Sequence, residues 1–186
     1  MKSNLRGPVL EWIQSIAGSL VAGLLIITFV GQSFVVEGSS MLPNLRDGER
    51  LLVEKITYRF RDPARGEVVV FRHPSDPSKR LIKRVIGLPG DTITITQGRV
   101  YVNGVALEED YINGPMVRWQ TVGPLVVPEG HYFLMGDNRN ASLDSRDPSL
   151  GFISKSHIVG RAIVRYWPLP RVAAVEAYSG MPFSKQ

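Results

Sequence analysis

No cysteine occurs among the 186 residues, and only three histidines do, His73, His131 and His157, far apart along the chain. The first absence excludes disulfides, thiolate metal sites and a cysteine nucleophile. The second, with no ligand spacing among the three, argues against a metalloenzyme. Blocks of like charge are missing as well. Lys and Arg number 22 against 17 Asp and Glu, a net charge of +5, but the basic residues are scattered from Lys2 to Lys185. A mixed solvated surface accounts for them, and no nucleic acid partner is implied. Internal repeats and low-complexity stretches are also lacking. What remains is a chain of one ordinary domain with a short appendage, and its 18 Gly and 13 Pro point to many turns between short strands.

One segment stands apart. Residues 12–36 are 25 consecutive uncharged residues, densest in apolar side chains at 13–30. About 20 helical residues at ~1.5 Å each cross a bilayer core, so this run predicts a single N-terminal transmembrane helix. A cleavable signal peptide is the rival reading, with Lys2 and Arg6 as a basic start and Gly31-Gln32-Ser33 as a small-x-small site. The apolar run exceeds the usual length of about 7 to 15 residues for such a peptide, so a retained anchor is expected. Lys2, Arg6 and the terminal amine favour a cytoplasmic N-terminus, with everything beyond the span on the far side. The expected division is 1–33, tail and anchor, and 34–186, an extracytoplasmic domain.

Beyond the anchor the pattern is that of strands. Apolar runs rich in Val and Ile recur at 51–53, 67–71, 81–86, 92–96, 100–102, 131–135 and 162–166, separated by turn signals, with no long amphipathic helix between them. Asn103-Gly104 suits a two-residue hairpin turn, because both residues tolerate positive φ. The stretch 97–124, with its short strands, turns and Tyr101, Tyr111 and Trp119, predicts a small inserted β-subdomain. The expected class is mainly β.

Three constellations carry candidate chemistry. The first, Gly38-Ser39-Ser40-Met41-Leu42-Pro43-Asn44-Leu45, follows directly on the span; Gly38 and Pro43 shape a turn that can hold a hydroxyl clear of a strand, and a backbone N–H there could face a developing oxyanion. The second is Leu81-Ile82-Lys83-Arg84-Val85-Ile86-Gly87-Leu88-Pro89-Gly90-Asp91. On a strand Lys83 shares its face with Leu81 and Val85, which would strip water from the ammonium and lower its pKa. The third, Gly136-Asp137-Asn138-Arg139-Asn140-Ala141-Ser142-Leu143-Asp144-Ser145-Arg146, is a dense polar loop in which acids and arginines can pair. Taken singly, each has an ordinary explanation: turn serines, a lysine at a strand edge, a solvated loop.

In order and in combination these stretches resemble the type I signal peptidases. That family places a Ser-Met-x-Pro box after a membrane anchor, then a Lys-Arg-x-x-Gly-x-Pro-Gly-Asp box, then a Gly-Asp-Asn-Arg box. The segment Gly66-Glu67-Val68-Val69-Val70-Phe71 looks like the intervening strand. The resemblance implies a signal-peptidase or LexA-like β-barrel-type catalytic domain, and a membrane-bound serine endopeptidase that removes signal peptides after small residues of Ala-x-Ala type.

By that resemblance Ser40 is the nucleophile, Lys83 the general base, and Ser142 the hydroxyl that orients the lysine. The Ser40 backbone N–H gives one oxyanion contact. Arg84, Asp137, Asp144 and Arg146 brace the site as ion pairs, and Phe34, Val36, Met41, Leu45 and Ile82 form the substrate pockets. No cofactor and no metal are implied, and the partners are preprotein signal peptides and the lipid bilayer of the plasma membrane. Trp119 or Trp167 would dip into the membrane surface. Part of the family has a serine two residues before the nucleophile as a second oxyanion donor, where this chain has Gly38. Asn44 stands where threonine is common. Two other functions compete: a LexA-like self-cleaving protein, against which the anchor argues, and a tethered β-domain that binds without catalysis.

Overall fold

The computed structural model describes residues 6–117 and 121–178, with the side chains of residues 6–9, 22 and 24–30 left aside. Trp119 lies outside the described residues. A helix, α1, covers Arg6–Val30. It stops there because the chain turns directly into strand β1, Gly31–Val35, which pairs with β2, Arg50–Glu54. The uncharged run therefore holds two elements, and the helix ends three residues short of the expected boundary at 33. Among the described residues no helix is long and apolar enough to cross a membrane. The most apolar part of the expected span falls at residues 24–30, whose side chains are not described.

The remaining strands are β3, Val68–His73; β4, Asp76–Gly87; β5, Thr92–Thr96; β6, Arg99–Val102; β7, Val105–Ala106; β8, Val122–Val126; β9, His131–Met135; β10, Ile153–Ser154; β11, Ile158–Trp167; and β12, Ala173–Ala174. They form two antiparallel sheets. The large one runs β1-β2-β11-β3-β4-β9-β10, with β12 on β11, and the small one runs β7-β6-β5-β8. The small sheet takes in the 97–124 stretch and begins earlier, at Thr92. Asn103 and Gly104 form the hairpin turn with φ of 53° and 81°.

The large sheet is not a closed barrel. Closure gives every strand two partners, whereas β1 pairs with β2 alone and the two-residue β10 with β9 alone. The outer edge of β1 is open, and so is the first half of β4, which pairs with β9 only from Arg84 onward.

Burial follows strand alternation. Val68 and Val70 enter one core cluster with Val36, Met41, Leu45 and Leu51, while Val69 and Phe71 enter another with Val85, Tyr132 and Leu134. Strand β3 is thus covered on both faces, which is why it reads as an unbroken apolar run. A third cluster joins the small sheet to the large one through Ile93, Ile95, Val100 and Val102 against Ile86, Phe133 and Met135. Strand β4 is clamped by these packed faces, and the residue between Leu81 and Val85 on its face is Lys83.

Candidate active site

Ser40 lies in a turn that leaves β1, with Leu42 N–H donating to Ser39 O and Leu45 N–H to Met41 O. Two anchors fix this turn. Met41 and Leu45 are 1% and 3% exposed in the core, and Asn138 reaches over from the polar loop, its backbone N–H on Ser40 O at 2.9 Å and its side-chain amide on Ser39 O at 3.1 Å. The hydroxyl is left free to face β4. There Lys83 Nζ stands 2.7 Å from Ser40 Oγ and 2.9 Å from the Ile82 carbonyl.

Lys83 is 3% exposed. Burial disfavours its ammonium form most strongly; the charges of Asp144 and Asp137 push the other way, and Arg146 assists burial, leaving the pKa pushed down to about 8 from 10.5. As an ammonium it donates to Ser40 Oγ. As a free amine, the same contact lets the serine O–H donate to nitrogen.

The acids and arginines form a scaffold around this pair. Arg84 clasps Asp137 with two hydrogen bonds, Nε to Oδ1 at 2.8 Å and Nη2 to Oδ2 at 2.7 Å, with both residues buried. Arg146 holds Asp144 in the same forked way at 2.7 and 2.8 Å. Burial raises the Asp144 pKa, but Arg146 and the Gly136 N–H outweigh it and hold the carboxyl below its ordinary value. Gly136 has to be a glycine: a Cβ there would collide with Ser142 Oγ and lie 2.5 Å from the Ser40 carbonyl. Ser142 is therefore in the site; its buried hydroxyl helps to hold the Asp144 carboxyl down and makes no hydrogen bond to Lys83.

A cleft of about 640 Å³ opens beside the pair. It is lined by Phe34, Val36, Ser40, Ile82 and Lys83, together with Glu37, Lys79 and Arg80. Met41 and Leu45 do not line it; they are buried in the core cluster against which Phe34 and Ile82 pack, and Leu45 lines a separate cavity with Arg84 and Tyr111. Gly38 has φ of +82°, a region that side-chain-bearing residues rarely adopt, and its N–H is spent on Asp47 Oδ1 at 2.7 Å. It supplies no hydroxyl. Among the described residues the Ser40 N–H donates to no partner.

Several residues matter here that sequence reasoning did not assign. Asn44 Nδ2 donates to Asp137 Oδ2 and to Tyr111 O, both at 2.8 Å, tying the serine turn to the ion pair beside the lysine. The Tyr111 ring stacks on Arg84, 4.4 Å from guanidinium to centroid. A late stretch of chain closes over it: Arg84 Nη1 donates to Glu176 O, Tyr178 N–H donates to Gly66 O, and the Tyr178 ring packs on Tyr111 at 4.7 Å. Asn44 lay inside the first motif and could have been suspected. The stretch near residue 176 carries no signal of its own.

A family model described as signal peptidase, peptidase S26, matches residues 9–167. Among curated proteins, "Probable signal peptidase I-2" of Synechocystis sp. is 45% identical over 169 residues, covering 88% of this chain and 75% of its own. "Signal peptidase I" of Leptolyngbya laminosa is 44% identical, covering 89% and 83%. "Signal peptidase I" of Bacillus licheniformis is 36% identical over 91% of this chain and 95% of its own.

Proposed function

Because this chain belongs to the signal peptidase family, peptidase S26, we propose that Ser40 and Lys83 are the pair with which it removes signal peptides from preproteins. The enzyme is a serine peptidase. In the proposed cycle Ser40 Oγ attacks the carbonyl of the scissile bond while its proton passes to the Lys83 amine. The tetrahedral oxyanion takes a hydrogen bond from the Ser40 N–H. Collapse breaks the C–N bond, and the Lys83 ammonium gives its proton to the departing amine of the mature protein. The signal peptide stays as an ester on Ser40 until a water, deprotonated by Lys83, releases it.

The single observation that supports this reading is the 2.7 Å contact between Ser40 Oγ and a buried lysine Nζ whose pKa lies near 8. A lysine so tuned has enough free amine near neutral pH to act as a base. Arg84, Asp137, Asp144 and Arg146 brace the pair, and Ser142 keeps the space beside it small. Phe34, Val36 and Ile82 shape the cleft for small side chains before the cut, with Met41 and Leu45 as its support. The peptide adds as a strand to the open edges of β1 and β4. Ala-x-Ala ends fit such a cleft.

The same reading puts α1 in the plasma membrane as a single span, N-terminus cytoplasmic, with the β-domain on the outer side. The uncharged helical stretch at residues 12–30 and the early Lys2 and Arg6 support this. Purified protein in detergent is expected to cut a separate preprotein, and Ser40→Ala and Lys83→Ala each to lose at least about 10³-fold in kcat/KM with unchanged circular dichroism. Cleavage by either variant at the parent rate would remove the dyad assignment.

A further inference from the structure

Arg80 occupies an unusual place at the mouth of the cleft. It lies on β4, opposite Arg72 of β3, where β4 has no partner on its other side. Its guanidinium sits 5.3 Å over the ring of Phe34 on β1, so the side chain bridges the two open edges between which a peptide would lie. A cation over an aromatic face is held in place without being neutralised. Neighbouring Lys79 is already paired, 3.2 Å from Asp76, whereas Arg80 has no carboxylate partner among the described residues. Glu37, the acid lining the cleft, belongs to the segment that runs into the Ser40 turn.

On a strand, Arg80 is three steps from Lys83, a distance of roughly 10 Å at ~3.3 Å per residue. An extended peptide advances by the same step. With the peptide running parallel to β4, the residues about three to five positions before the bond cut at Ser40 lie beside Arg80. The apolar cleft of Phe34, Val36 and Ile82 lies between.

Resting on the function given above, we infer that Arg80 is a specificity-determining residue for the signal-peptide side of the substrate, selecting Asp or Glu over Lys or Arg a few positions before the cleaved bond. A carboxylate there gains a forked partner that is already oriented by the Phe34 ring. A cation meets an unpaired guanidinium. The effect belongs to binding, so it falls on KM and leaves kcat nearly unchanged.

The test uses full-length protein in detergent and peptides that carry one Ala-x-Ala site with Glu, Gln or Lys at the fourth or fifth position before the cut. At one of these positions Glu is expected to exceed Lys by roughly 10-fold in kcat/KM, a ratio that falls with added salt. Arg80→Gln brings the ratio to near unity and Arg80→Glu inverts it. Both substitutions are on an exposed strand edge, and the inversion cannot arise from a loss of fold. Cleavage of the Gln peptide without discrimination between Glu and Lys overturns the role of Arg80 and leaves the peptidase reading intact. Discrimination that persists unchanged in Arg80→Glu also overturns it. If wild-type protein cuts none of the peptides and no preprotein, the peptidase reading itself falls.

Discussion

If Lys83 acts as the free amine, the rate is set by how much of it is unprotonated, and its surroundings set that. With a pKa of about 8, roughly a tenth of the lysine is free amine at pH 7; at the ordinary 10.5 the fraction is about 300-fold smaller, a difference on the order of 3 kcal/mol. The acid limb of kcat/KM against pH is thus expected at about 8. Asp144 and Asp137 hold that pKa up, and Arg146 holds it down. Asp144→Asn should therefore move the limb to lower pH, and Arg146→Gln to higher pH, each by up to about one unit. Stability carries the same signature. Between about pH 8 and 10.5 the unfolded chain holds more protons at this lysine than the folded one, so its contribution to stability rises with pH across that window and the full penalty is present below it. The assay is cleavage of a fluorogenic peptide from pH 5.5 to 10. Movement of both limbs in the same direction, or an unperturbed limb near 10.5, would refute the electrostatic reasoning.

Two further substitutions probe the frame around the pair. Asn44→Ala strips two hydrogen bonds from the Asp137 and Tyr111 contacts and is expected to cost about 1–3 kcal/mol in urea unfolding and to lower kcat more than it changes KM; unchanged stability and kcat would mean that the turn is held by its apolar anchors alone. Gly136→Ala forces the loop off Ser142 and Ser40, and a 10-fold or greater loss of kcat is expected, with a melting point lowered by several degrees; wild-type turnover would show that the close approach is dispensable.

Much of the domain was legible because its strands obey simple alternation. The 67–71 and 81–86 runs read as strands and fall on β3, from Val68, and on β4, and Asn103-Gly104 makes its turn. The pairing of Ser40 with Lys83 was expected only through the family resemblance, since 43 residues separate them and no local rule brings them together. The change from α1 to β1 at Gly31 was hidden because an uncharged run looks alike as helix or strand. Barrel closure failed for a comparable reason: edges depend on which strands find partners, and a two-residue strand such as β10 leaves no trace in a sequence pattern. Ser142 packs beside Gly136, and its hydroxyl makes no hydrogen bond to the lysine. The contacts of Glu176 and Tyr178 were invisible because they are made largely by backbone atoms.

Those last contacts bear on timing. By the end of β11 the chain has already supplied all three motifs, yet the guanidinium next to Lys83 still lacks the Glu176 carbonyl and the cover of Tyr178. A polypeptide emerging from the ribosome therefore contains its nucleophile and its base well before it contains the residues that close over the Arg84–Tyr111 stack. On the topology proposed above, those residues arrive only after nearly the whole domain has crossed the bilayer. The frame beside the pair is thereby the last part of the domain to be completed, and a chain that ends after β11 would hold all three motifs with the Arg84 guanidinium uncovered.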